Sequence, residues 1–201
     1  GEGWGGAVFA QECNIVYVTP GGATAGVAGT KNNPANLLYG LSLANATNNK
    51  VYMASGTYIV YNPVNMKSDI TLEGGFNALS WIKSNATATA IYRDNSNLEN
   101  SPKRLVAMYG INIFNFRLQD ITIRCANAFG SGISSYGLYL SGCSNYNIVR
   151  CKMISGNAGN GDNGTNGVNG IGGAQGSSGQ NGDEQDACCT LGGAGASGSF
   201  P

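Results

Sequence analysis

Histidine is absent from this chain, and only 11% of its 201 residues carry charge. The first absence removes the commonest general base and the commonest transition-metal ligand. The second, with eleven basic residues against eleven acidic, leaves no net field to draw the protein to nucleic acid or an anionic membrane. No apolar run approaches the ~20 residues of a transmembrane helix. Proline is missing from residues 103–200, which excludes a proline-stiffened collagen triple helix over the glycine-rich part.

What is present begins with six cysteines: Cys13, Cys125, Cys143, Cys151, Cys188 and Cys189. No two form a C-x-x-C pair, and without histidine a zinc site would need four thiolates. An even count in a weakly charged chain rich in Asn, Ser, Thr and Gly favours an oxidising compartment. All six are therefore candidates for disulfides, with Cys188 or Cys189 reaching back to an earlier cysteine and the pairing left open.

Four segments follow one another: 1–13, a glycine-rich lead; 14–155, a β-rich body; 156–187, a Gly-x-x stretch; and 188–201, the start of a further segment of a longer parent chain. "NIVYV" (14–18) is a strand, and "NNPANLLYGLSLANATNN" carries one helix near 34–46. In it Asn33 serves as cap, Pro34 lies in the first turn, and Leu37, Leu38, Leu41 and Ala44 share a face. After residue 50 short β-rich segments alternate with Gly, Asn, Ser and Asp. Shifting the chain by thirty aligns Val106/Met108 with Tyr136/Leu138 and Asn115/Phe116 with Asn145/Tyr146. Leu118 then meets Ile148, Ile123 meets Met153, and "ANA" (126–128) meets "GNA" (156–158). Apolar residue over apolar residue and asparagine over asparagine is what stacked coils require. The expected fold is all-β, a right-handed parallel β-helix with an N-terminal capping helix. Asn115 and Asn145 should form a buried amide ladder at equivalent bends.

"IVYVTPGG…NPANLLYGLSLANATNNKVYMASGTY" resembles the first coil of pectin-lyase-like β-helix proteins. "ITLEGGFNALSW" and "SGNAGNGDNGTNG" are similar to segments of a secreted and cell-surface bacterial subset with Gly/Asn-rich insertions. That resemblance implies export, often by type IX secretion, and leaves function open because the fold hosts lyases, hydrolases, adhesins and tail spikes.

Chemistry is sparse. The acids Asp69, Glu73, Asp94, Glu99 and Asp120 are scattered. The best constellation is Asp120 with Arg150 one coil away, flanked by Arg124 and Lys152, and it reads as an exposed outer-face ion pair. Asp162 lacks the spacing of a calcium β-roll, "DNSNLEN" (94–100) lacks EF-hand signals, and "DEQD" (183–186) reads as a solvated turn. No catalytic residue, metal site or cofactor is assigned. Asn45, Asn85 and Asn163 match the N-glycosylation pattern, which here marks exposed loops. The aromatics Tyr109, Phe114, Phe116, Tyr136, Tyr139 and Tyr146 offer a sugar-stacking platform, with an internal Phe116/Tyr146 stack preferred.

Glycine stands at 161, 164, 167, 170, 173, 176, 179 and 182. That frame predicts a bundle of extended polyproline-II-like legs whose bare faces approach closely, with a disordered loop as the alternative. Asn160, Asn163, Asn166 and Asn169 would face outward as an uncharged contact surface for a glycan or protein. The expected function is a non-catalytic, secreted or cell-surface adhesin or structural module whose other partners are secretion or anchoring machinery. Alternatives are a carbohydrate-active enzyme with catalytic coils beyond residue 201, and a fibre or tail-tip receptor-binding component.

Overall fold

The computed structural model describes residues 14–179, so Cys13, Cys188, Cys189 and the acidic run 183–186 lie outside the described residues. The chain divides into two units, 1–162 and 163–201.

In chain order the elements of the first unit are β1 (Ile15–Ala23), α1 (Leu37–Leu43), β2 (Lys50–Ala54), β3 (Gly56–Val60), β4 (Val64–Asn65), β5 (Thr71–Phe76), β6 (Thr89–Arg93) and β7 (Glu99–Asn100). They continue with β8 (Lys103–Ile111), β9 (Arg117–Gln119), β10 (Thr122–Cys125), β11 (Ser134–Ser141), β12 (Asn147–Val149) and β13 (Lys152–Ile154). Apart from β1, which pairs directly with β2, and β7, which pairs with β8, strands consecutive in sequence go to different sheets, and each finds its hydrogen-bonded neighbour one coil later. Three parallel sheets result, β1-β2-β5-β9-β12, β3-β6-β10-β13 and β4-β8-β11. This is a parallel β-helix of about four turns. Only β7 runs antiparallel, against β8.

Inward-facing side chains stack along the axis. Val16, Val51, Leu72, Leu118 and Ile148 are register partners from coil to coil, and the first four are buried. Tyr58, Ile91, Ile123 and Met153 form a second row in the next sheet. Each fully buried aliphatic of this size contributes about 1.5–3 kcal/mol, so such rows account for much of the stability. The thirty-residue register holds between the last two described coils. Tyr136 pairs with Val106, Leu138 with Met108, Ile148 with Leu118 and Met153 with Ile123. Asn157 N–H donates to Asn127 Oδ1 at 2.9 Å, which carries the stack past the last strand.

Sharp corners join the short strands, and left-handed backbone makes them. Asp69, Asn112, Asn115, Asp120, Asn145 and Arg150 all have φ between 49° and 63°. Asn and Asp tolerate this region better than other non-glycine residues. Glycine is required where coils touch. A Cβ on Gly142 (φ 64°) would sit 2.1 Å from Asn112 Oδ1, and one on Gly156 would sit 2.0 Å from the Ala126 carbonyl oxygen.

Helix α1 starts later than its sequence pattern indicates. Asn36, not Asn33, caps it, accepting the Tyr39 N–H at 2.7 Å. Pro34 and Ala35 stay extended because Ala35 bridges to Val18 and Ala23, and the Asn33 amide donates instead to the Val27 carbonyl. Leu37, Leu41 and Ala44 are buried, whereas Leu38 turns outward.

The glycine stretch also departs from expectation. Residues 161–179 contain no regular element and are exposed throughout. A Cβ at Gly164, Gly167, Gly170 or Gly173 would meet nothing within 4 Å, so the bare faces of this segment do not pack closely there. Glycine's ordering entropy opposes such packing, and at these four glycines no contact compensates for it.

Candidate functional site

The chemically richest place is the corner between the sheet containing β9 and the sheet containing β10. Asp120 follows β9 in a left-handed turn, and Arg150 occupies the same turn one coil on. Arg150 donates to both carboxylate oxygens, Nε to Oδ1 at 2.6 Å and a terminal nitrogen to Oδ2 at 2.8 Å. The Arg150 guanidinium is thus the main reason the Asp120 carboxyl lies well below the usual carboxylate range, with Lys83 and Gln119 adding to it.

Lys83 comes from the 77–88 loop, which lies over the outer face of the first sheet. The loop is anchored by Trp81, buried against Tyr17 with ring centroids 4.7 Å apart, and by the Phe76–Lys83 bridge. So held, Lys83 makes ion pairs with both Glu73 and Asp120. Gln119 donates to Glu73 at 3.0 Å and accepts from Arg117 at 2.7 Å. The Asp120 side chain is only 7% exposed and Arg150 is 61% exposed. The exposed ion pair read from the sequence is therefore corrected: the carboxylate is buried and shared by two cations. Glu73 is among the acids singled out in the sequence, but Lys83 and its pairing with Glu73 escape detection because the loop that delivers Lys83 has no counterpart in the other described coils.

Beside this cluster a cleft of about 290 Å³ is lined by Asn85, Thr87, Asp120, Thr122, Arg150 and Lys152. Arg124 lies over the Tyr92 ring, 5.8 Å from its centroid, and does not line the cleft.

The other acids also hold structure. Asp69 ends the asparagine ladder, Asp94 accepts from Arg93 and Ser96, and Glu99 accepts from Arg104 and Tyr109. Burial alone would push Glu99 up, but the hydrogen bonds from Tyr109 and Arg104 outweigh it and lower the carboxyl. Asp162 lies 3.7 Å from Lys103 in an exposed pair.

The ladder forms as the repeat implies. Asn145 Nδ2 donates to Asn115 Oδ1 at 3.0 Å, and Asn115 Nδ2 donates to Asp69 Oδ1 at 2.8 Å. It lies on the exposed rim of the corner, not in the interior, so water replaces part of what a mutation removes. Asn115→Leu is expected to cost about 2 kcal/mol, half from the lost hydrogen bonds and half from forcing leucine to φ 58°. Asn115→Gly should recover the backbone half. Denaturant midpoints for the two variants that coincide would refute this division.

The aromatics do not form one platform. Phe116 is buried and stacks on Tyr146 at 5.1 Å and 11° between planes. Tyr139 meets Tyr109 and Tyr136 edge-on, each at 5.7 Å, with Arg104 4.8 Å from the Tyr139 centroid. Phe114 is exposed and belongs to neither group.

Cys125, Cys143 and Cys151 carry free thiols, so the disulfides anticipated at these three positions are not formed. Each sulfur is instead directed to a backbone carbonyl: Cys125 to Leu105, Cys143 to Gly110 and Cys151 to Val149. Burial raises the Cys125 and Cys151 thiols, which keeps them protonated.

Asn160, Asn163, Asn166 and Asn169 are all exposed, as are Asn45 and Asn85. The Asn160 carbonyl accepts the Gly132 N–H at 2.6 Å. Among the described residues no group of three or more His, Cys, Asp or Glu side chains is placed to hold a metal ion. No helix among them is long and apolar enough to cross a membrane. No protein-family model, curated protein or solved structure matches the chain.

Proposed function

We propose that this chain is a non-catalytic module of a secreted or cell-surface bacterial protein, acting as an adhesin or structural scaffold. One observation carries the reading: its best acid–base constellation is committed to holding coils together. A general acid must have a proton to give near neutral pH, and a base must have a free lone pair facing substrate. Asp120 has neither, being ionised and paired on both oxygens with Arg150 and Lys83. Glu73 is likewise engaged by Lys83 and Gln119.

The contact surface assigned here is the exposed run of Asn160, Asn163, Asn166 and Asn169, whose amides offer donors and acceptors without charge. A glycan or another protein at the cell exterior is the proposed partner. A pectin-lyase-like ancestry with export by the type IX route belongs to the same proposal and rests on the sequence resemblance. The cleft beside Arg150 and Lys152, with its threonine hydroxyls, favours a second reading as a sugar-binding part of a carbohydrate-active enzyme.

The test is turnover. Incubation with pectin, alginate and other uronic-acid polymers is expected to release neither unsaturated nor reducing ends. Activity that is present in the native chain and lost in Asp120→Asn would overturn the non-catalytic reading.

A further inference from the structure

We infer that Asn163, Asn166 and Asn169 form an array of self-modifying sites that convert spontaneously from amide to carboxylate. Asparagine followed by glycine occurs at 160–161, 163–164, 166–167, 169–170 and 181–182, and nowhere else in the sequence. The last pair lies outside the described residues. The chemistry needs no enzyme or oxidant. The backbone nitrogen of the following residue, once deprotonated, attacks the asparagine side-chain carbonyl carbon. A ring C–N bond forms, the bond to the side-chain nitrogen breaks, and that nitrogen takes up a proton and leaves as ammonia. Water then opens the five-membered imide at either carbonyl, giving aspartate or isoaspartate. In the balance one water enters and one ammonia departs.

Two barriers normally slow this step, and both are low here. A side chain on the following residue obstructs the attack, but glycine has none and its backbone reaches the required geometry freely. A held backbone or a bonded amide also prevents it. Asn163, Asn166 and Asn169 are exposed, and among the described residues no hydrogen bond holds their side chains. The space around Gly164, Gly167 and Gly170 is open to 4 Å.

The rest of the molecule supplies internal controls. Asn160 has the same glycine neighbour, but its carbonyl is pinned by Gly132 N–H. Asn115 and Asn145 precede Phe116 and Tyr146, and their amides are bonded in the ladder. The order of reaction should therefore be Asn163, Asn166 and Asn169 first, Asn160 later, and the ladder residues not at all.

The consequence is electrostatic. The chain has a formal net charge of zero, so each conversion takes it one negative charge away from neutrality. Asp162 already stands at the head of the run. Each isoaspartate also inserts a methylene into the backbone and breaks the three-residue spacing. The contact surface thus becomes more negative with age, an effect on binding that rests on the proposed contact role, whereas the modification does not.

The experiment holds the intact protein at body temperature in neutral and mildly alkaline buffer and follows peptides by mass spectrometry. Each converted site gains about 1 Da, the difference between amide and acid. Isoaspartyl methyltransferase labelling should rise in parallel, and native ion exchange should show stepwise more acidic species. Rates should increase with pH, because the attacking nitrogen must lose its proton. Gly164→Val should slow Asn163 about tenfold, since a β-branched neighbour blocks the approach, and leave Asn166 unaffected. A synthetic peptide spanning 159–172 in the same buffer provides the unrestrained rate. Conversion of the peptide with none in the protein would overturn the inference, as would equal conversion at Asn115 and Asn145. Unaltered glycan or protein binding by the fully converted chain would count against the contact role and leave the modification standing.

Discussion

Leu118→Ala is expected to lower the stability of the β-helix by about 3 kcal/mol, within the 2–5 kcal/mol that buried leucine truncations cost. Leu118 is fully buried and sits between Leu72 and Ile148 in the axial row, with a coil on either side. Neither neighbouring coil can collapse into the gap, because strand spacing is fixed by the hydrogen bonds of β9 to β5 and β12. The matched control is Ile148→Ala. Ile148 belongs to the same row but lies in the last described coil and is 39% exposed, so its truncation removes fewer contacts and opens no closed void. Solenoid stability is a sum over neighbouring coils, which makes a central position more costly than a terminal one. Chemical denaturation of both variants decides the matter. Equal losses would mean that coil position does not set the cost.

That row also shows what could be read from the sequence and what could not. The last two coils share one length, so Asn145 lies thirty residues after Asn115 and every facing pair between them was legible. One coil earlier the same comparison fails. Asn115 stands forty-six residues after Asp69, its ladder partner, and Gln119 stands forty-six after Glu73. The 77–88 loop and the β7 hairpin are inserted there, and a fixed period cannot pass through insertions. In sequence Asp69 accordingly stands as an isolated acid, whereas in the fold it ends the ladder. Lys83 was invisible for the same reason, since it rides on an insertion and no coil repeats it. The helix boundary failed differently. Asn33-Pro34 has the chemistry of a cap, but the pairing of Ala35 with Val18 and Ala23 is a tertiary contact and keeps that stretch extended. The free thiols at Cys125, Cys143 and Cys151 follow from the solenoid as well. Their sulfurs are satisfied by carbonyls of their own or the adjoining coil.

The second large effect is at Asp120. Asp120→Asn should destabilise the chain by about 2–3 kcal/mol, the range for hydrogen bonds to a charged group that is largely removed from water. The substitution keeps the shape but deprives Arg150 of its bidentate acceptor and leaves Lys83 with Glu73 alone. Arg150→Gln removes the other half of the pair and should cost clearly less than Asp120→Asn, because that side chain is mostly in solvent and Lys83 still pairs with the carboxylate. The asymmetry distinguishes a buried, shared carboxylate from an ordinary surface ion pair. Acid should reproduce the effect in the native protein. The folded carboxyl titrates well below its unfolded value of about 3.9, so its contribution is complete above about pH 5. As pH falls through the unfolded value toward the folded one, the unfolded chain takes up the proton first, and the contribution is lost. Glu99, held low by Tyr109 and Arg104, adds in the same direction. The stability difference between native chain and Asp120→Asn should therefore stay constant from neutrality down to about pH 5 and narrow below about pH 4. Denaturation midpoints across that range measure it directly, and a difference that persists undiminished into strong acid would show that Asp120 holds the corner by shape and not by charge.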